Sequence, residues 1–247
     1  MNDEARGTER SRLHAIAADS TYGAGANGAS IAHSFEVFSR HIRPGPILEM
    51  GPAEGIMTGG LATLGEPLTL VEGAAPFCES LKARFPQADV VNALFEEFQP
   101  GTQFQTIILG HVLEHVEDPV DILTRAKAWL APGGRIMAAV PNARSVHRQA
   151  AVLMGLLPFE EALNDADRKH GHRRVYNPET FRRDFLEAGL SIEVFGGYWL
   201  KPLSNGQIER DWDDRMLTAF MALGERYPDI AGEIYVVANL DRAGRSS

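Results

Sequence analysis

Residues 46–58, Pro-Ile-Leu-Glu-Met-Gly-Pro-Ala-Glu-Gly-Ile-Met-Thr, carry an apolar run into a carboxylate, then a glycine-punctuated turn, then the first turn of a helical pattern. A short apolar run closed by glycine reads as a buried strand, and the small residues after it let the backbone turn tightly and approach a ligand. The helix that follows would present unpaired N–H groups at its start. The same strand-then-helix unit recurs downstream. Pro67–Glu72, Ala88–Val91, Phe104–Leu109 and Arg135–Val140 read as further strands, and Ile56–Leu64, Pro76–Phe85 and Pro119–Leu130 as the helices between them. Alternation of this kind means βαβ units, a mostly parallel sheet and helices on both faces. Ligands on such sheets lie beyond the carboxyl ends of the strands, where the strand order switches. That rule directs attention to Glu49–Gly55, Glu72–Ala74, Asn92–Leu94, Gly110–His115 and Pro141–Arg144.

Outside this core the pattern is looser. Thr8–Asp19 and Ser30–His41 read as helices, separated by the small-residue stretch Thr21–Ala29. After Pro141 a long connection holds a helix at Ser145–Leu156 and a charged, His-containing segment. Asn177–Ala188 reads as a helix, Ser191–Phe195 as a strand, Asp213–Leu223 as a helix inside an insertion, and Glu233–Leu240 as a last strand. The chain is expected to be one domain over 1–247. Within it, 1–44 is a helical cover, 45–142 the cofactor half, 143–176 a lid or acceptor insertion, 177–240 the rest of the sheet with a 199–230 insertion, and 241–247 a tail.

The chain has 247 residues, 44% hydrophobic and 23% charged, which excludes wholesale disorder. A net charge of −9 argues against nucleic acid as the main partner. The longest nearly apolar run, Ala150–Phe159, is about half a membrane span, so no membrane partner is expected. The polar first residues do not form a signal sequence, and the single cysteine, Cys78, fits a reducing cytoplasm.

Three nucleotide readings compete for the first turn. A phosphate loop needs Lys and Ser or Thr after a glycine, but Leu61 follows Gly60. A dinucleotide fingerprint needs a third glycine where Ile56 stands. The third is an acidic residue followed by alternating small residues, met by Glu49, Gly51, Ala53 and Gly55. Glu72 ends the second strand, where a carboxylate can accept both hydroxyls of a ribose. Asn92-Ala-Leu follows the third strand, the fourth runs into Gly110-His-Val-Leu-Glu-His-Val-Glu-Asp-Pro119, and Leu130-Ala-Pro-Gly-Gly134 precedes the fifth, which ends at Pro141-Asn142.

Together these segments resemble class I S-adenosylmethionine (SAM) methyltransferases of the ubiquinone-biosynthesis and small-metabolite group. The resemblance covers residues 45–142, with a weaker echo in His170-Gly-His172 and Tyr176–Gly189. It implies a Rossmann-like α/β sheet with an antiparallel last strand. It further implies SAM as cofactor, S-adenosyl-L-homocysteine as product, and transfer to an oxygen or nitrogen of a small metabolite. Cofactor contacts are expected from Tyr22, Glu49, Gly51, Ala53, Gly55, Glu72, Gly73, Asn92, Ala93, Leu94, Gly110 and His111. Asn92 replaces the family's usual aspartate, and Ala53 the middle glycine.

Methyl transfer from a sulfonium leaves a neutral thioether, so the enzyme's tasks are orientation and exclusion of water, with a base where the acceptor carries a proton. His115 is the first candidate for that base, with His111 and His172 behind it. His170, Arg173, Tyr176, Tyr198 and Trp199 are the expected acceptor contacts, and the cluster Arg168, Lys169, Arg173 and Arg174 leaves room for an anionic acceptor. His111-Val-Leu-Glu-His115 also fits a zinc motif, but Asp118-Pro119 interrupts any helix through it, so no metal is expected. The competing functions are a NAD(P)-dependent oxidoreductase and a non-catalytic interaction subunit of the same fold; a monomer and a homodimer both stay open.

Overall fold

The computed structural model describes residues 3–18, 20 and 23–240. Seven strands form one sheet in the order β3-β2-β1-β4-β5-β7-β6. They are β1 (Ile47–Met50), β2 (Leu68–Glu72), β3 (Asp89–Asn92), β4 (Phe104–Gly110), β5 (Leu130–Pro141), β6 (Leu190–Tyr198) and β7 (Glu233–Leu240). The first five pair in parallel, and β7 runs antiparallel between β5 and β6. The doubly wound sheet with its antiparallel last strand is therefore the architecture expected from the sequence.

Alternate residues of the central strands feed two cores. Leu48, Met50, Ile107 and Leu109 face one, closed by Ile122 and Leu123 of α5 (Pro119–Ala128) and by Phe181 and Phe185 of α8 (Pro178–Glu187). Ile47, Leu70, Ile108 and Met137 face the other. It is closed by Phe38 of α2 (Gly25–Ser39), Leu61 of α3 (Ile56–Ala62), Leu81 of α4 (Ala75–Arg84) and Met221 of α10 (Asp214–Gly224). Burial on both faces explains why β1 reads as an unbroken apolar run with one glutamate. Each fully buried Phe or Leu contributes about 1.5–3 kcal/mol.

Several boundaries differ from the sequence reading. The helix expected through Leu130 ends at Ala128, and Leu130 instead pairs with Phe104 before the register jumps to Thr106 and Arg135. The Ala131–Gly134 stretch is thus a bulge inside a longer β5, not a cap before it. β6 runs three residues further than expected, to Tyr198, because β7 pairs with its whole length. The second insertion holds an unforeseen helix, α9 (Asn205–Asp211). The first holds α6 (Val146–Leu153) and α7 (Asp165–Lys169), with Leu153, Met154, Leu156 and Phe159 exposed around the end of α6. At the N-terminus, α1 (Asp3–Ala18) begins earlier than Thr8. Among the described residues, no helix is long and apolar enough to cross a membrane.

Candidate functional site

The strand order reverses between β1 and β4, and a cavity opens there at the carboxyl ends of β1, β2 and β4. The turn after β1 is built for close approach. Gly51, Ala53 and Gly55 all adopt positive φ, at 69°, 46° and 74°. Ala53 thus holds a conformation that glycine takes freely, at a cost of about 1–2 kcal/mol for a residue with a Cβ. A Cβ on Gly51 would lie 3.0 Å from Val112 Cγ2, and one on Gly73 would lie 2.5 Å from Leu13 Cδ1.

Two carboxylates mark the floor. Glu72 accepts from the backbone N–H of Ala53 at 3.2 Å and of Ala74 at 2.8 Å. Burial pushes its carboxyl up, and these amides pull partly back. Glu49 accepts from the Thr58 hydroxyl at 2.7 Å, which ties β1 to α3. Burial, with the charge of Glu72 adding to it, pushes Glu49 up to about 8. Ala93 and Leu94 line the cavity beside them, as does Gly110. Asn92 does not: its amide nitrogen donates to the Glu72 carbonyl at 2.8 Å, and it stands outside the cavity wall. Tyr22 lies outside the described residues.

α1 forms one wall through Arg12, Leu13 and Ile16. Arg12 donates to the carbonyls of Gly171 and His115, at 3.1 and 3.3 Å, and pairs with Glu9. Arg10 pairs with Glu97 on the other side. The basic cluster is largely consumed in this framework. Arg173 lines the cavity, yet its guanidinium binds Glu9 at 2.9 Å and the His115 carbonyl at 2.8 Å. Arg174 clamps the carbonyls of Leu113, Val116 and Glu117. Arg173 and Arg174 therefore brace the turn after β4, while Lys169 of the same cluster lines the cavity.

That turn carries the histidines. His111 sits at φ 57°, a strained conformation for a side chain of its size. It lines the cavity, and its Nε2 lies 3.2 Å from the Tyr198 hydroxyl. Its Nδ1 lies 3.6 Å from Glu114 and 3.7 Å from Glu233. Burial works against its positive form, but the two carboxylates prevail and raise its pKa. Glu114 is likewise held below its usual range by the surrounding imidazoles, against the effect of burial. His115 also lines the cavity; burial, helped by His172 and Arg12, lowers it to about 4, so its imidazole is neutral at pH 7.

His172 stands behind His115, with ring centroids 4.8 Å apart, and its Nδ1 lies 3.5 Å from Asp167. Of the other expected acceptor contacts, His170 lines the cavity. Tyr176 does not: it is a core residue whose hydroxyl donates to Asp184 at 2.9 Å. Tyr198 and Trp199 are both fully buried, and only Tyr198 reaches the site, through His111. Glu114, His115 and His172 bring ligand atoms within 4.8 Å of one another, the one such grouping among the described residues.

Sequence reasoning gave no role to Glu114, Glu233 or Lys201. Glu233 left a usable signal. It opens an otherwise apolar strand, and because β7 is antiparallel its first residue lies at the ligand edge, across from Pro141. Lys201 follows β6 and carries its Nζ 4.5 Å above the Trp199 ring; burial, partly offset by Glu233 and Asp167, lowers it to about 8.

A family model described as "Methyltransferase domain" matches residues 27–193. A ubiquinone biosynthesis O-methyltransferase from Rhizobium etli (strain CIAT 652) is 26% identical over 190 residues, which is 73% of this chain and 72% of the relative. Among solved structures, the N-methyltransferase NodS from Bradyrhizobium japonicum WM9, in complex with S-adenosyl-L-homocysteine, superposes with a TM-score of 0.60 at 13% identity. It covers 96% of this chain and 99% of its own. An S-adenosylmethionine-dependent methyltransferase from Mesorhizobium loti gives 0.60 at 14% identity, covering 87% and 99%. At these identities the structural likeness shows the fold.

Proposed function

The chain belongs to the methyltransferase-domain family, and from that premise we propose that it moves the methyl group of SAM to an oxygen or nitrogen of a small-molecule acceptor. The observation that carries this reading is the cavity at the β1/β4 switch, with Glu49 and Glu72 on its floor and two imidazoles on one wall. When bound, SAM supplies an electrophilic methyl: the acceptor's lone pair forms the new bond to carbon as the carbon–sulfur bond breaks, and the sulfur keeps the electron pair.

The chain's own residues hold and shield. Glu72, pinned by backbone amides, keeps lone pairs free for ribose hydroxyls. Gly51 and Gly73 let the backbone come close, and Leu94 offers an apolar face to the adenine. Glu49, Gly55, Gly110 and His111 complete the cofactor wall, while Asn92 acts on it only through the Glu72 carbonyl. α1 closes over the cavity and excludes water. His115, neutral at pH 7, takes the proton of a hydroxyl or ammonium acceptor, and its exposure to the cavity favours it over His111, which two carboxylates hold toward its charged form.

The divisions of the chain follow this plan: 1–44 covers, 45–142 holds SAM, and the insertions 143–176 and 199–230 choose the acceptor. The one cysteine, Cys78, is buried and unpaired, at home in a reducing cytoplasm. Calorimetry with SAM, S-adenosyl-L-homocysteine and NAD tests the reading. SAM and its product should each bind at one site and NAD give no heat; NAD binding without SAM binding would overturn it.

A further inference from the structure

The turn after β4 and the segment that follows α7 meet at the His115 wall of the cavity, where Glu114, His115 and His172 bring ligand atoms together. Glu114 is fully buried, and neither of its carboxylate oxygens has a hydrogen-bond partner among the described residues. His115 lines the cavity and holds its Nε2 3.9 Å from a Glu114 oxygen. The His172 side chain is 5% exposed, and neither of its ring nitrogens is hydrogen-bonded. Folded proteins leave few buried polar atoms in this state, and two such side chains beside a third point to a missing partner.

The chemistry of the three groups describes that partner. A carboxylate and one nitrogen of each neutral imidazole offer lone pairs. Three atoms no more than 4.8 Å apart can be reached from one point at roughly 2.8 Å, so small side-chain shifts bring each to the about 2.0–2.2 Å of a zinc–nitrogen or zinc–oxygen bond. An ion therefore fits between its ligands without a separate chamber. The Nδ1 of His172 faces Asp167 at 3.5 Å, the usual outer partner of a ligating imidazole, which leaves Nε2 for the ion. The two segments are locked together: the Arg173 N–H donates to the Glu114 carbonyl at 2.8 Å, and its guanidinium to the His115 carbonyl at 2.8 Å. Arg12 and Arg173 are bonded to Glu9 and to carbonyls, and neither reaches the Glu114 carboxylate. The zinc motif in the sequence pairs His111 with His115, but His111 turns to Tyr198, and His172 stands in its place. Imidazole suits zinc, whereas magnesium and calcium favour oxygen donors. We infer that Glu114, His115 and His172 form a binding site for a divalent transition-metal ion of the zinc class, open toward the cavity that His115 lines. The site stands on its own geometry. Resting on the methyltransferase reading, the bound ion takes the His115 lone pair that otherwise accepts the acceptor's proton, so zinc silences that base.

The test uses the full chain stripped with a chelator and titrated with Co²⁺ and Zn²⁺, followed by calorimetry and by the visible absorption of cobalt. One cobalt ion per chain should bind with the intense bands of a tetrahedral site, and zinc should displace it. Outer partners of metal ligands are worth about 10–100-fold in affinity, so loss of a direct ligand in His172→Asn or Glu114→Gln should weaken zinc by more than about 100-fold. His41→Asn, outside the group, should bind zinc as the wild type does. S-adenosyl-L-homocysteine affinity, unchanged in the variants, certifies that they fold; where a variant loses it, the stoichiometry and spectrum of the wild type decide alone. Zinc should also protect His115 from diethyl pyrocarbonate, read by peptide mass. No stoichiometric ion in the wild type, the pale bands of octahedral cobalt, or full zinc affinity in both ligand variants would overturn the site. Unchanged modification of His115 in the zinc-loaded chain would overturn the silencing. Failure of S-adenosyl-L-homocysteine to bind the wild type would remove the methyltransferase reading and leave the metal site standing.

Discussion

Two buried carboxylates, about forty residues apart in sequence and close to the same cavity, are treated in opposite ways. Glu72, at the end of β2, is pinned by the backbone N–H groups of Ala53 and Ala74. Glu114, in the turn after β4, has no hydrogen bond to either oxygen and is surrounded by His111, His115 and His172. One is finished by the main chain before any ligand arrives; the other waits for side-chain and ligand chemistry. The difference teaches how the work is divided. A ligand shared by a whole family can be read by backbone geometry, which depends on small residues at fixed spacing. Groups that the main chain leaves open have to be answered by side chains, here those of the turn after β4.

Titration of Glu49 gives the largest expected effect. Its folded pKa of about 8 lies above the ordinary carboxylate value of 4.5, so the native state retains a proton that the unfolded chain releases. The stability this brings is full below pH 4.5 and is lost as pH rises through 8. Between pH 5 and pH 8 the wild type should therefore lose on the order of 3 kcal/mol relative to Glu49→Gln, which keeps an acceptor for Thr58. Urea denaturation of both proteins across that range checks it; parallel curves would show Glu49 to be charged in the fold and remove the contrast with Glu114.

Glu114→Gln addresses the other side. Its expected signature is a loss of turnover of about 100-fold, with the acid limb of the kcat/KM profile moving to lower pH as His115 loses the charge that raises it. Unfolding free energy should fall as well, because the imidazoles that hold its carboxyl below the usual range lose their counter-charge. A large loss of stability with an unmoved pH profile would make Glu114 a structural ion instead. Glu72→Ala should cost about 2 kcal/mol of stability because it orphans backbone donors, measurable by the same denaturation. The smallest effect belongs to Ala53→Gly. Relief of the positive φ should outweigh the added freedom of the unfolded chain and stabilise by about 0.5–1 kcal/mol; destabilisation would mean that the turn relies on its Cβ contacts.

What the sequence disclosed follows the same division. The order of strands and helices, the glycine turn and Glu72 were legible because periodicity and small-residue spacing are local properties. Asn92 reads from the sequence as a cofactor contact, yet it stands outside the cavity wall, since its bond to the Glu72 carbonyl depends on the parallel register of β2 and β3. Tyr176 and Trp199 turn into the core, because aromatic composition in an insertion does not say which way a side chain points. Glu233 opens the last strand of the sheet, and only the antiparallel closure of β7 brings it beside His111.

The division of the site into a backbone-read half and a side-chain-read half is tested most directly by one titration, S-adenosyl-L-homocysteine into wild type, Glu72→Ala and Glu233→Gln. The account predicts that Glu72→Ala weakens binding by about 100-fold, the loss of a charge-assisted hydrogen-bonding group, and that Glu233→Gln binds as the wild type does. Equal binding by wild type and Glu72→Ala, or equal loss in both variants, would contradict it.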